Sequence, residues 1–175
     1  MGKKLVMDSA PLVSVPMNCF NGEKYLREAI DSIINQTYKN WELVFWDNQS
    51  TDKSKAIFDS YQDERLKYYY APEHTDLGGG RANAFKYLYG DYIAVLDVDD
   101  IWLPTKLKKQ LQLFTDPDVG IVISDTLFFN ETDERILYDG EYPPEGDVFR
   151  ELLTGYFVSL ETLMLRKSVV DKLDY

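Results

Sequence analysis

Four apolar runs, spaced by stretches with helical periodicity, constrain this chain more than any other feature. Residues 11–17 (with Leu12, Val13 and Val15), 43–46, 66–70 and 92–96 read as strands. The run Leu43-Val44-Phe45-Trp46 does not alternate, which suits a strand covered on both faces of a parallel sheet. After a turn at residues 18–22, Leu26, Ala29, Ile30, Ile33 and Ile34 recur at helical spacing, with Asn21 as the expected N-cap. Ile57, Phe58 and Tyr61 mark a second helix, with Ser50 or Thr51 as its cap. Residues 71–80 read as a Gly-rich loop; Ala84, Phe85 and Leu88 mark a third helix, stopped at Gly90. The order β-α-β-α-β-α-β at this spacing predicts an α/β fold, a Rossmann-type doubly wound, mostly parallel sheet flanked by helices.

In such sheets ligands bind beyond the carboxyl ends of the strands. Three polar segments fall there: residues 18–21, 47–50 and 97–100. The last places Asp97, Asp99 and Asp100 directly after the apolar run ending at Leu96. Carboxylates beside a buried strand are costly unless paired, and a divalent cation carrying a diphosphate would pair with them. Asp97 and Asp99 lie two apart, so in an extended segment they would point the same way. The alternative is a solvated acidic turn. Asp47 is a candidate for contact with a base or ribose, while Ser50, Thr51 and Asp52 suit helix capping. Gly78-Gly79-Gly80-Arg81 reads either as a phosphate cradle with Arg81 as charge partner or as a flexible loop. His74, the single histidine, reads as an exposed loop residue, Cys19 as a small residue near the sheet, and Tyr68-Tyr69-Tyr70 as strand packing.

Composition narrows the partners. The 175 residues carry a formal charge of −11, which argues against nonspecific nucleic-acid binding. Cys19 is the only cysteine, so neither an intramolecular disulfide nor a cysteine-based zinc site can form, and a reducing, cytoplasmic setting fits. No apolar run approaches the roughly 18–20 residues that cross a bilayer, and Met1-Gly2-Lys3-Lys4 begins no apolar signal region. Peripheral association with a membrane stays open.

Past the acidic cluster, Pro104 is expected at the first position of a helix with the stripe Leu107, Leu111 and Phe114. Residues 119–123 read as a strand, 127–138 as a hairpin turning around 130–134, and 142–146 as a loop. Asp147 is expected to cap a short helix with Val148, Phe149, Leu152 and Leu153 inside. Residues 160–165 read as a strand, and Ser168 as the cap of a helix running through Leu173.

Taken together, these segments resemble the family 2 glycosyltransferases of the GT-A fold. The likeness covers residues 11–173 and is strongest over 11–115. Val13-Ser14-Val15 through Asn21-Gly22-Glu23-Lys24-Tyr25-Leu26 resembles that family's opening strand and turn. Residues 29–38 are similar to its first helix, and Trp46-Asp47-Asn48-Gln49-Ser50-Thr51-Asp52 to its second strand end. Residues 90–104, containing Leu96-Asp97-Val98-Asp99-Asp100, resemble its metal-binding segment.

The resemblance implies transfer of a sugar from a nucleotide-diphospho-sugar (UDP-, GDP- or dTDP-linked) to the hydroxyl of a carbohydrate or lipid-linked acceptor, with inversion and with Mn²⁺ or Mg²⁺. It implies a nucleotide-sugar site of Asn18, Phe20, Asn21, Asp47, Asn48, Arg81, Asp97 and Val98, with Asp99 and Asp97 toward the metal. Phe20 stands where the family usually has a tyrosine beside the base, Asp47 where an acidic residue contacts the base, and Arg81 where a basic residue lies near the nucleotide. The implied division is an N-terminal extension (1–10), a donor-binding subdomain (11–115) and the start of an acceptor-binding subdomain (116–175). The sequence departs from the family pattern at Asn18, where proline is usual, and at Arg81-Ala82-Asn83, where the asparagine falls one position late. The family's catalytic base normally lies in an acidic segment past the last helix begun here, so the base is expected beyond Tyr175 and the chain is expected to be truncated. Two other classes remain: a non-catalytic nucleotide-sugar-binding or scaffold domain, and a sugar-1-phosphate nucleotidyltransferase. The latter needs a Gly-rich basic loop after the first strand, which residues 18–22 do not provide.

Overall fold

The computed structural model describes residues 10–130 and 132–172. Four strands, β1 (Val13–Cys19), β2 (Trp41–Asp47), β3 (Leu66–Tyr70) and β4 (Tyr92–Ala94), pair in parallel in the order β3-β2-β1-β4. The last third of the chain adds β5 (Ile121–Val122), a separate hairpin of β6 (Leu127–Phe129) and β7 (Glu134–Ile136), and β8 (Met164–Arg166). β8 lies antiparallel to both β4 and β5, giving a mixed six-stranded sheet, β3-β2-β1-β4-β8-β5. The helices are α1 (Leu26–Ile34), α2 (Ser54–Asp59), α3 (Leu77–Phe85), α4 (Lys106–Leu111), α5 (Phe149–Thr154) and α6 (Lys167–Val170). No helix among the described residues is long and apolar enough to cross a membrane.

All seven residues of β2 are buried, because both faces of the sheet are covered. Side chains alternate across a strand. Leu43 and Phe45 therefore join one core with Leu26, Ile30 and Ile33 of α1, Phe58 of α2 and Leu107 of α4. Val44 and Trp46 join a second core with Ala84 of α3, Ile93 and Val170. Polar Ser14 of β1 is buried, and a carboxylate answers it: Ser14 Oγ donates to Glu42 Oε1 at 2.6 Å. Glu42 also accepts from Tyr89 N at 3.1 Å and pairs with Lys67. Burial alone would raise the Glu42 pKa, but the Lys67 ammonium and these donors hold it below the usual carboxylate range.

The first two βα turns are tied to each other by reciprocal hydrogen bonds. Asn21 does not cap α1; that position is Tyr25, which makes no side-chain capping bond. Asn21 adopts a positive φ of 55° and its Oδ1 accepts from Thr51 N at 2.8 Å. In return, Ser50 Oγ accepts from Asn21 N at 3.0 Å and Ser54 Oγ from Gly22 N at 3.0 Å. Ser50 and Thr51 therefore do not cap α2, whose Ser54 N is held by Asp52 Oδ1 at 2.9 Å.

Other expectations change as well. The Gly-rich stretch is helix, not loop: α3 begins at Leu77 because Asp76 Oδ1 accepts from Gly79 N at 2.7 Å. That helix ends at Phe85, so Gly90 does not stop it; Gly90 is required because a Cβ there would lie 2.7 Å from Leu12 O. Pro104 precedes α4 by two residues, and its carbonyl accepts from Thr37 N at 2.8 Å. Residues 160–165 divide into a 3₁₀ turn (Leu160–Thr162) and β8. α5 has no buried residue: Phe149, Leu152 and Leu153 are exposed, not inside. Ser168 lies within α6, whose cap is Arg166; the expected end at Leu173 lies outside the described residues.

Candidate functional site

Parallel register brings the polar strand ends level. Cys19 pairs with Asp47, and Asp47 with Tyr70. Leu96 N donates to Pro16 O at 3.5 Å, which carries the chain leaving β4 alongside β1. Residues 18–21, 47–50 and 97–100 thus share the carboxyl edge of the sheet.

The acidic cluster is a turn, not an extended segment: Asp100 N donates to Asp97 O at 3.3 Å. The expectation that Asp97 and Asp99 point the same way by strand alternation therefore fails. Their roles separate instead. Asp97 forms an ion pair with Arg81, each side chain 28% exposed. Asp99 is exposed and has no partner among the described residues. Val98 anchors the turn by packing on the core beside Gly22, where a Cβ would meet Val98 Cβ at 3.3 Å. Among the described residues, no three His, Cys, Asp or Glu side chains are grouped to hold a metal ion by themselves.

Arg81 reaches Asp97 because α3 presses close to β1. A Cβ at Gly80 would lie 2.4 Å from Asn18 Oδ1, so only glycine permits this approach. Asn18 Oδ1 and Arg81 Nε, on either side of this seam, are both buried without a hydrogen-bond partner. The seam thus carries one unpaired acceptor and one unpaired donor.

Asp47 and Asn48 build the other wall. Asp47 is 1% exposed; its Oδ1 accepts from Ser50 N at 2.7 Å and its Oδ2 from Tyr68 O–H at 2.6 Å. Burial and the Asp47 carboxylate push the Tyr68 phenol well above its usual value. Asn48, also buried, clamps the loop leading into α3. Its Nδ2 donates to Thr75 O at 2.7 Å and its Oδ1 accepts from Thr75 N at 3.1 Å. His74 Nδ1 contacts Asn48 O at 2.8 Å, and the His74 ring meets the half-exposed Phe20 ring at 4.4 Å.

His74 is an exposed loop residue, as expected, though its contacts with Asn48 and Phe20 have no local sequence signal, and a charged group lies behind the acidic turn. Trp102 Nε1 donates to Glu161 O at 3.2 Å, and the Lys106 ammonium lies 4.3 Å from the Trp102 ring. Burial pushes Lys106 down to about 7, opposed in part by the Glu161 carboxylate. Burial and the neighbouring Glu161, Asp99 and Asp97 carboxylates push Asp100 up to about 7, opposed in part by Arg81. Glu161 had one sequence signal, a charge inside an otherwise apolar run; His74 had none beyond being the single histidine.

Known proteins are similar to this chain in sequence and in fold. A glycosyltransferase of Methanocaldococcus jannaschii is 34% identical over 174 residues, covering 94% of this chain and 59% of the relative. The UDP-Glc:alpha-D-GlcNAc-diphosphoundecaprenol beta-1,3-glucosyltransferase WfgD of Escherichia coli is 27% identical, covering 94% of this chain and 64% of the relative. The chain thus spans about three fifths of these relatives' length. A structure of S. aureus TarS in complex with UDP-GlcNAc superposes with a TM-score of 0.78 at 22% identity, over 91% of this chain and 46% of that one. The mannosyltransferase PcManGT of Pyrobaculum calidifontis, in complex with GDP-Man and Mn²⁺, gives 0.70 at 16% identity, over 94% of this chain and 47% of that one. At those identities the structures speak for the fold, which is GT-A-like. The Glycosyl transferase family 2 model matches residues 14–173, nearly the whole chain, and the chain belongs to that family.

Proposed function

We propose that this chain holds the nucleotide-sugar donor of a metal-dependent, inverting sugar transferase. The observation that carries the reading is the divided acidic turn, with Asp97 tied to Arg81 and Asp99 left free beside it. A diphosphate needs positive charge, and the Arg81 guanidinium supplies part of it while Asp97 fixes its position. Asp99 suits a hard divalent cation, Mn²⁺ or Mg²⁺, which takes oxygen ligands and leaves most positions to phosphate oxygens and water. Such a cation, when bound, stabilises charge on a departing diphosphate. Asn18, Asn21, Phe20, Asp47, Asn48 and Val98 complete the proposed nucleotide site. In this division Phe20 faces the base, while Asp47 and Asn48 act through the loops they hold rather than as exposed groups.

Residues 11–115 form the donor side of this reading and 116–172 begin the acceptor side, since every proposed donor contact falls between Asn18 and Asp99. The acceptor is a carbohydrate or lipid-linked hydroxyl, presented at the cytoplasmic face of a membrane; the lipid-linked substrate in the name of the E. coli relative supports this class. The base that takes the acceptor proton is proposed to lie in an acidic segment beyond Tyr175.

Calorimetric titration with UDP, GDP and dTDP in the presence of Mn²⁺ tests the reading. At least one should bind with a Kd below about 1 mM, or roughly −4 kcal/mol. Failure of all three at millimolar concentration overturns it.

A further inference from the structure

Gln36 is 0% exposed just past the end of α1, where a buried amide needs a reason. Every polar group of its side chain is used. Nε2 donates to Ser32 O at 3.1 Å and to Leu103 O at 2.9 Å, and Oε1 accepts from Leu107 N at 3.2 Å. The Ser32 bond is local. The other two cross to the segment that follows the acidic turn. Leu107 N is in the first turn of α4, where an amide has no partner within its own helix, and Leu103 lies four residues past Asp99. Thr37 N, next in the chain, adds a third tie, to Pro104 O at 2.8 Å. An apolar side chain of the same size would fill the core and leave Leu103 O and Leu107 N without this partner.

We infer that Gln36 is a positioning residue for Asp99: by fixing the backbone at Leu103 and Leu107, it sets where the free carboxylate of the acidic turn stands. This rests on the donor reading above. Asp99 makes no hydrogen bond or ion pair among the described residues, so the anchors on either side decide its place. Upstream, Asp97 is paired with Arg81 and Val98 packs on the core. The turn's own bond, Asp100 N to Asp97 O, is long at 3.3 Å. Downstream, Ile101 and Leu103 are exposed, so their side chains do not anchor the chain. Trp102 is buried with Nε1 donating to Glu161 O, and the Gln36 amide holds the backbone directly after it. A carboxylate that meets a cation and a diphosphate at once tolerates little error, and a displacement of ~1 Å from lost support is enough to weaken such a site.

The test is the Kd of UDP, or of GDP or dTDP if either binds better, with and without Mn²⁺, on the native protein, Gln36→Met, Gln36→Asn and Ile33→Val. Gln36→Met keeps the volume and removes the amide. Gln36→Asn keeps an amide but is one methylene too short to reach both Leu103 and Leu107. Ile33→Val, a buried change in the preceding helix, controls for lost stability. Mn²⁺ should tighten binding to the native protein and to Ile33→Val about tenfold or more, but to either Gln36 variant by less than about threefold. The metal-free Kd should stay within about twofold in all four proteins, since Gln36 touches none of the proposed nucleotide contacts. Where Gln36→Met does not fold, Gln36→Asn decides by the same criterion. Full tightening in a folded Gln36 variant, an equal loss in Ile33→Val, or an equal loss of metal-free binding overturns the inference. Failure of both Gln36 variants to fold overturns it too, because the residue would then serve the fold alone. If Mn²⁺ does not tighten binding to the native protein, the donor reading itself has failed and the inference falls with it.

Discussion

Gly80 shows how one missing atom positions the site. In an exposed helix, Gly→Ala stabilises by about 1 kcal/mol through propensity alone. At Gly80 the added Cβ would lie 2.4 Å from Asn18 Oδ1 and 2.8 Å from its Cγ, on a short side chain rooted in a central strand. Overpacking of this kind costs about 1–3 kcal/mol and should outweigh the propensity gain. Gly80→Ala is therefore expected to destabilise the protein in urea denaturation, and the same change in an Asn18→Ala background to be neutral or stabilising. The residue scale also explains why the acidic turn was only half legible. Three carboxylates after an apolar run announced a polar site. Which of them is free depends on Arg81, sixteen residues upstream of Asp97, through an ion pair that no local pattern encodes.

Among the elements, α4 and the 3₁₀ turn at Leu160–Thr162 brace the back of the acidic turn. Gln110 Nε2 donates to Thr162 O at 2.6 Å, and Lys106 Nζ donates to Gln110 Oε1 at 2.7 Å. Lys106 is pushed down to about 7, below its unfolded value, because burial disfavours the ammonium. Between pH 7 and the unfolded lysine value of about 10.4, the unfolded chain binds the extra proton, so stability rises with pH across that window. Below pH 7 the folded protein must hold the charge. Lys106→Met should therefore raise the Tm at pH 6, and the gain should shrink or reverse by pH 10. A gain that is equal at both pH values would contradict the burial of this ammonium. At this scale the strands were readable, because uninterrupted apolar runs such as Leu43 to Trp46 have few other uses. The Gly-rich start of α3 was not, since its low helix propensity is overcome by the Asp76 cap and by contact with β1. α5 differs for another reason: its apolar residues fit a buried stripe, but no element among the described residues covers them.

For the whole molecule, the alternation of strands and helices predicted the doubly wound sheet, and the strand order β3-β2-β1-β4 puts the polar ends of β1, β2 and β4 on one edge. What the sequence could not supply was contact between distant segments: the reciprocal hydrogen bonds joining the first two turns, the Ser14–Glu42 bond under the sheet, and the Phe20–His74 corner. These are long-range choices among several partners of equal local merit, such as Asn21, which suited its own helix and serves its neighbour's turn instead. Asp99 is the proposed meeting point of metal and diphosphate. The direct measurement is the Kd of the best-binding nucleoside diphosphate with and without Mn²⁺, on the native protein and on Asp99→Ala. Because Asp99 is exposed and has no partner among the described residues, the variant should keep its Tm. Mn²⁺ should tighten binding to the native protein about tenfold or more, at least ~1.4 kcal/mol, and should leave the variant's weaker binding unchanged. Equal tightening in both proteins, or none in the native one, would contradict the account.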